Sequence, residues 1–154
     1  MNAEELVQQL HHYFDYLFKD AGFEVVFIDP MIGQPHSVTV GLESPTCRLL
    51  FAEEQGVVTP LIGLSSAPFT EILPRNGQRL WLNLETVTDF IEQNAINWFE
   101  FQAQPSVEEQ LSYYTQKIRP HYKQILTMFQ DPMALKAWYA RFDEYETEQF
   151  HQQA

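Results

Sequence analysis

The chain has 154 residues, 45% of them hydrophobic and 14% aromatic, and its 21 acidic residues outnumber 9 Lys and Arg residues to give a net charge of −12. This acidity disfavours binding to nucleic acid and to anionic lipid, while the aromatic content excludes an acidic disordered chain. The longest apolar runs, such as residues 25–28, are too short to cross a bilayer.

The start of the chain predicts one helix and two strands. Apolar residues recur every three or four positions in residues 3–20, which is typical of an amphipathic helix, and Gly22 is suited to end it. Residues 23–28 are β-branched and aromatic and predict a strand that enters the core. After the break at Asp29-Pro30 and the Gly-Gln-Pro that follows, residues 36–42 predict the second strand.

The next segment predicts a hairpin. Residues 48–52 and 57–61 read as two strands, and residues 53–56 (Glu-Glu-Gln-Gly) connect them. Gly56 can take the positive φ that a tight hairpin needs, so we expect the two strands to be antiparallel neighbours.

A long loop and a short helix are expected after the hairpin. Residues 63–79 contain two Gly and two Pro residues and predict a loop, with an extra ribbon as the alternative. Residues 79–82 fit an edge strand. Asn83 is then expected to cap a helix whose apolar residues point inward, namely Leu84, Val87, Phe90 and Ile91.

The C-terminal third predicts helices. Residues 97–102 fit either a last strand or an extended linker. Ser106 and Glu109 have capping-box spacing, and Pro120 should kink or split the helix that they start. Its inner face comprises Leu111, Tyr114, Ile118, Tyr122, Ile125 and Phe129.

Asp131-Pro132 is expected to start the last helix, with Asp as the cap and Pro in the first turn. Its inner stripe comprises Leu135, Trp138, Tyr139, Phe142 and Tyr145. Together the elements predict one α+β domain over residues 1–154. It has an N-terminal helix, an antiparallel meander of four to five strands, and C-terminal helices packed on the sheet.

Metal and thiol chemistry are both disfavoured. His11 and Asp15 share a helix face, but no further ligands have metal-site spacing, so we interpret them as solvated and expect no metal. Cys47 shares its strand face with Leu49 and Phe51, which favours a small core residue over a reactive thiol. A single cysteine is also in keeping with a reducing compartment, and we expect a cytoplasmic protein.

No catalytic set is evident. Residues 63–67 (Gly-Leu-Ser-Ser-Ala) approach a nucleophile elbow, but they lack its final glycine, and Pro68 follows where a helix should start. His121 is expected to be a packed core residue bonded to a carbonyl. Three pairs of adjacent acids are interpreted as parts of solvent-exposed faces: residues 53–54, 108–109 and 143–144. We therefore expect no enzyme activity and no cofactor.

The last helix carries the best candidates for binding a partner. Four acids lie between Asp143 and Glu148, no Lys or Arg follows Arg141, and aromatic residues are interleaved with the acids. A soluble helix face is the ordinary alternative. The candidate residues are Tyr139, Asp143, Glu144 and Glu148. Nucleic-acid binding is disfavoured, since the sequence has no basic stripe, zinc-finger spacing or glycine-rich phosphate loop.

Two segments resemble those of a known family. They are residues 48–58 (Arg-Leu-Leu-Phe-Ala-Glu-Glu-Gln-Gly-Val-Val) and residues 81–84 (Trp-Leu-Asn-Leu), the second of which precedes a short helix. Over about residues 10–130 the chain resembles small uncharacterised bacterial proteins of the toxin-immunity type. Residues 54–56 read Glu-Gln-Gly where such proteins often have Asp-Arg-Gly. The resemblance implies an acidic, non-enzymatic role in binding a partner, and it transfers no functional residue.

Two functional hypotheses follow. The first is a non-catalytic, acidic, cytoplasmic protein, immunity- or chaperone-like, that binds another protein of basic character. The alternative is a small-ligand binder or an enzyme whose site is assembled near residues 63–79 from residues distant in sequence.

Overall fold

The computed structural model describes residues 1–29, 37–77, 79–94 and 105–153. The described residues form six helices and five strands, and the strands make one antiparallel sheet in the order β1-β2-β3-β4-β5. The predicted α+β meander is thereby confirmed. In chain order the elements are α1 (Ala3–Tyr13), α2 (Asp15–Lys19), β1 (Glu24–Asp29), β2 (Ser37–Glu43), β3 (Cys47–Glu54), β4 (Val57–Leu64), β5 (Leu82–Asn83), α3 (Leu84–Glu92), α4 (Val107–Ile118), α5 (Tyr122–Gln130) and α6 (Pro132–Gln153).

The N-terminal helix is interrupted. A single helix over residues 3–20 is wrong, because Phe14 leaves the helical conformation (φ −120°, ψ 35°) between α1 and α2. The Thr115 hydroxyl of α4 donates to the Tyr13 carbonyl at 2.8 Å and so satisfies a backbone group that the break releases. Gly22 follows α2 with φ 75°, as its predicted role in ending the helix requires.

The sheet is covered on both faces. Alternation along β3 turns Cys47, Leu49 and Phe51 toward the helices, where they join the main apolar core. Leu50 points to the opposite face and packs with Trp81 in a second, smaller core. Residues that follow β4 cover this second face.

The β3–β4 hairpin confirms the predicted turn. Gln55 and Gly56 both have positive φ, 52° and 85°, as a two-residue hairpin loop requires. The strands reach Glu54 and Val57, so the loop is two residues shorter than the sequence indicates.

Two strand predictions need correction. β1 lies at the edge of the sheet rather than in the core, since Val26 and Ile28 are 47% and 48% exposed. β5 is shorter than the predicted strand over residues 79–82, because only Leu82 and Asn83 pair with β4. Residues 65–77 and 79–81 lie outside the strands and form the predicted loop.

Side chains of α4 occupy the part of the β4 edge that β5 does not reach. The Val58 N–H donates to Gln110 Oε1 at 2.8 Å, and the Tyr114 hydroxyl donates to the Val58 carbonyl at 2.9 Å. Gln110 Nε2 also donates to the Gly56 carbonyl at 2.6 Å. Pro60, farther along the same strand, has no N–H to leave unpaired.

The C-terminal helices follow the sequence signals. The Ser106 hydroxyl accepts the Glu109 N–H at 3.1 Å, and the Asp131 carboxylate accepts the Met133 N–H at 3.0 Å. Pro120 lies between α4 and α5 and splits the predicted helix there. The predicted strand or linker at residues 97–102 lies outside the described residues.

Aromatic packing holds α6 against α3. The Phe90 ring of α3 lies 5.4 Å from Trp138 and 5.7 Å from Phe142, measured between ring centroids. Most of the predicted inner stripe is buried, namely Leu135, Trp138, Phe142 and Tyr145. Tyr139 is only half-buried, because it lies at the flank of this stripe.

Candidate functional site

Residues 65–81, described except for residue 78, form a strap that is fixed to the second face of the sheet. The Arg48 guanidinium donates to the Ala67 carbonyl at 2.8 Å and lies 4.4 Å from the centre of the Phe69 ring. The indole N–H of Trp81 donates to the carbonyls of Pro68 at 3.0 Å and Glu71 at 3.1 Å. The loop predicted from its Gly and Pro residues therefore has a defined path.

Two glycines make room for the strap. A Cβ at Gly41 would lie 2.6 Å from the Phe69 ring, which is stacked on Phe27 with centroids 5.2 Å apart. A Cβ at Gly63 would lie 2.7 Å from the Leu80 carbonyl oxygen. Any larger residue at either position would push the strap away from the sheet.

The strap and α6 enclose a cavity of about 350 Å³, which we name the strap cavity. Its lining residues are Leu64, Ser66, Ala67, Gly77, Arg79, Leu80, Tyr139 and Asp143. The cavity thus combines an apolar wall with a hydroxyl, a guanidinium, a phenol and a carboxylate. Its volume lies in the range of roughly 300–1,000 Å³ that is common for ligand sites.

Arg79 is the cation of the strap cavity, and two acids of α6 hold it. Its Nη1 donates to Asp143 Oδ1 at 3.0 Å and also to Glu146. Burial alone would lower the pKa of Arg79, but Glu146 and Asp143 raise it above its ordinary value. These two carboxylates offset the positive charge of the guanidinium and so weaken its attraction for an anionic ligand.

Tyr139 contributes a phenol that stays protonated at neutral pH. Burial raises its pKa to about 12, and the negative Asp143 acts in the same direction while Arg79 opposes it. The hydroxyl is therefore a hydrogen-bond donor, and the ring is a large apolar contact surface beside it.

The four predicted partner-binding residues fall into two groups. Tyr139 and Asp143 are four residues apart, so they share a helix side and both line the strap cavity. Glu144 and Glu148 lie on the outer side of α6, exposed to solvent and without an ion pair among the described residues. The predicted residues thus extend from the cavity onto the free face of the helix.

The residues considered for a metal do not come together. His11 stacks on Phe18 with ring centroids 3.9 Å apart, and the Asp15 carboxylate lies 4.0 Å from Lys19 Nζ. Within the described ranges, three His, Cys, Asp or Glu side chains nowhere converge as a metal site would require.

The candidate nucleophiles lack the features that reactivity needs. Cys47 is buried, and burial raises its pKa to about 11 against hydrogen bonds from Thr46 and Ser44. Gly63 belongs to β4, and the Ala67 N–H donates to the Leu64 carbonyl in a turn at 2.9 Å. A nucleophile elbow needs a helix after its serine, and this turn leads into the strap instead.

Two predictions about polar residues are wrong. Glu53 is not on a solvated face: it is 4% exposed, because β3 continues through it and alternation turns it inward. The His121 side chain is half-buried and bonds a carboxylate rather than a carbonyl among the described residues, since its Nε2 lies 2.7 Å from Glu92 Oε1 of α3. The other two acidic pairs, residues 108–109 and 143–144, are exposed as predicted.

Sequence reasoning missed the role of Arg79 and the pairing of Lys117. Each cation is distant in sequence from the acids that it binds. Arg79 pairs with acids of α6, and Lys117 pairs with acids of α3. On α3 the signal was present: Glu85, Asp89 and Glu92 follow a helical repeat within a stretch that has no Lys or Arg. Their partners were not identifiable, because the packing of α3 against α4 is a tertiary relationship.

Among the described residues, no helix combines the length and the apolar composition needed to cross a bilayer. Comparison of the chain with known protein families, with curated proteins and with solved structures found no match.

Proposed function

We propose that this is a non-catalytic, cytoplasmic, immunity- or chaperone-like bacterial protein that binds a basic protein partner. The observation that carries the proposal is the arrangement on α6. Tyr139 and Asp143 line the strap cavity, and the exposed Glu144 and Glu148 continue from it along the same helix. An aromatic anchor followed by exposed carboxylates suits a partner that presents cations around an apolar residue.

The distribution of charge supports a basic partner. Counting only pairs between described residues, five of the nine Lys and Arg residues form ion pairs with carboxylates: Lys19, Arg48, Arg75, Arg79 and Lys117. The pairing leaves an excess of exposed acids to set the field around the molecule. Such a field raises the rate at which a basic protein associates and repels nucleic acid.

The apolar wall of the strap cavity supports an anchored contact rather than charge attraction alone. Leu64, Ala67 and Leu80 line it together with Tyr139. An apolar side chain of the partner that enters the cavity would lose its exposed area, and buried anchors of this kind dominate binding energies. The role needs no catalytic residue of this chain.

The test is affinity capture from native lysate at low and high salt, followed by rate measurements with the purified captured protein. Glu144→Lys with Glu148→Lys is the test variant. Asp20→Lys with Glu24→Lys is its control, because these two acids are also exposed and the charge change is the same. We expect association to slow with salt and the test variant, but not the control, to weaken capture. Equal capture by both variants at both salt levels would contradict the proposal.

The volume and polar lining of the strap cavity favour a second function, the binding of a small ligand. Ser66→Trp would fill the mouth of the cavity, since Ser66 is exposed there. A compound that raises the melting temperature of the wild type and not of this variant would favour the ligand site. If the Ser66→Trp variant fails to capture the protein partner and no such compound is found, the result would favour a protein interface at the cavity.

A further inference from the structure

A second site lies at the opposite end of β4 from the strap cavity, at the β3–β4 hairpin. It centres on Glu53, which is 4% exposed and pairs in register with the buried Val38 and Val58. Glu53 Oε1 accepts the Gly56 N–H at 2.9 Å. Glu53 Oε2 is buried and has no hydrogen-bond partner among the described residues.

The neighbouring polar groups are already engaged. Both polar atoms of the Gln110 side chain bind backbone groups of Gly56, Val58 and Pro105. The Tyr114 hydroxyl donates to the Val58 carbonyl. These contacts leave the Glu53 carboxylate half satisfied, and a buried carboxylate in this state is costly without a cation or further donors.

Glu53 lines a shallow, open depression together with Met1, Gln55, Gly56 and Val107. None of these lining side chains is basic, and among the described residues the α-amino group of Met1 forms no ion pair with Glu53. Met1 and Val107 are apolar and pack against the main core, while Glu54 and Glu108 nearby in the chain are exposed. The depression therefore offers an apolar wall and a negative field. Glu53 Oε2, which has no hydrogen-bond partner among the described residues, is buried beside it, so a ligand must displace part of the lining to reach this oxygen.

We propose that this depression binds a primary ammonium group on an alkyl chain, and that the lysine side chain of a basic protein supplies it. That the ammonium group belongs to a lysine of a basic protein partner rests on the proposed function. The ammonium donates to Glu53 Oε2 and neutralises the carboxylate, while the alkyl stem lies against Met1 and Val107. Met1 is unbranched and flexible, so this wall can adjust around the stem.

The geometry selects ammonium over guanidinium. A guanidinium binds a carboxylate best through two parallel hydrogen bonds, which need both carboxylate oxygens. Here Oε1 already accepts the Gly56 N–H, so a guanidinium would have to share that oxygen, whereas Oε2 has no partner among the described residues. A single free acceptor suits a compact point charge such as the lysine ammonium.

The experiment is an NMR titration of the isolated protein, read at the Gly56 amide that Glu53 holds. The probes are Nα-acetyl-lysine N-methylamide and, as the matched uncharged probe, Nα-acetyl-norleucine N-methylamide. We expect the Gly56 resonance to shift and saturate with the lysine probe only. Equal responses to the two probes, or no response to either, would overturn the proposal, and this comparison needs no variant.

Two variants localise the response. Glu53→Gln should weaken the affinity for the lysine probe by more than about tenfold, since it removes the buried charge. Glu54→Gln removes an exposed charge from the next residue, and it should change the affinity by less than about threefold. Equal weakening by both variants would assign the response to the general acidic field and would overturn the site.

Putrescine distinguishes the source of the ammonium group. Binding tighter than that of the lysine probe would overturn a lysine side chain as the source, and weaker binding would support it. The titration uses no protein partner, so a failure of the proposed capture on α6 leaves its result intact. Conversely, capture through α6 with no Gly56 response would overturn this inference alone.

Discussion

Lys117 of α4 donates to the Asp89 carboxylate of α3 at 2.6 Å, and the same ammonium donates to Glu85 at 3.1 Å. The Tyr113 hydroxyl also donates to Glu85, at 2.8 Å. Burial would lower the pKa of Lys117, but Asp89 and Glu85 raise it above its ordinary value. One cation therefore balances two largely buried carboxylates where the two helices meet.

Removal of this cation should destabilise the protein. Lys117→Ala leaves Asp89 and Glu85 without a counter-charge, and we expect a loss of about 2–4 kcal/mol, slightly below the range for fully buried pairs. The control is Lys19→Ala, which breaks a solvent-exposed pair with Asp15 and should cost about 0–1 kcal/mol. Urea unfolding of both variants measures the difference. Equal losses would show that the ion pairs between α3 and α4 stabilise the protein no more than an exposed pair does.

Stability should fall at alkaline pH. Burial raises the pKa of Cys47 to about 11 and those of Tyr16 and Tyr139 to about 12. The unfolded chain releases these protons at lower pH than the native protein does, so it binds fewer protons and the free energy of unfolding falls as pH rises. We expect a decline that begins near about pH 9, of about 1.4 kcal/mol per pH unit for each group in its window.

Cys47→Ala isolates the earliest part of this decline. Between about pH 9 and 10 the thiol dominates, because the tyrosines of the unfolded chain titrate later. Urea unfolding across this range should give a flatter pH dependence for the variant than for the wild type. Identical slopes would contradict the assignment to Cys47.

Trp138 should be one of the most costly residues to remove. It is buried, and its ring lies 5.3 Å from Phe142 in a stacked arrangement. Trp138→Ala should cost about 3–5 kcal/mol, the usual range for a buried aromatic. Met133→Ala lies on the same helix at 83% exposure and should change stability by less than about 0.5 kcal/mol. Thermal unfolding compares the two, and an unchanged midpoint for the tryptophan variant would contradict its core position.

The seating of the strap depends on Gly41. Gly41→Ala places a methyl group against the Phe69 ring, and we expect a loss of about 1–3 kcal/mol from overpacking. The same change should speed proteolytic cleavage within residues 65–81. In a Phe69→Ala background the added methyl should cost less, because its main obstacle is gone. Additive losses in the double variant would show that Phe69 is not that obstacle.

Local signals predicted most of the fold. Asn83 and Asp131 cap helices with bonds to N–H groups two and three residues ahead, and Pro120 ends a helix by its own chemistry. Each signal acts within a few residues, so it can be recognised from the sequence alone. The break at Phe14 is different, since Thr115, about a hundred positions away, completes it.

The sites were less predictable than the fold. Tyr139 and Asp143 were identified from one helix, but their neighbour Arg79 comes from the strap. The burial of Glu53 depends on how far β3 extends, and a hairpin with a four-residue loop would have left it exposed. Sites assembled from several elements need the packing to be known, whereas composition along a single element is visible at once.

The contact between Gln110 and Val58 has a consequence for folding and synthesis. Gln110 and Tyr114 stand in for a neighbouring strand along the start of β4, yet they come more than fifty residues later in the chain. As the polypeptide leaves the ribosome, the β3–β4 hairpin is complete while this backbone edge still has open donors and acceptors. Until α4 docks, the nascent protein is open to pairing with strands of other chains.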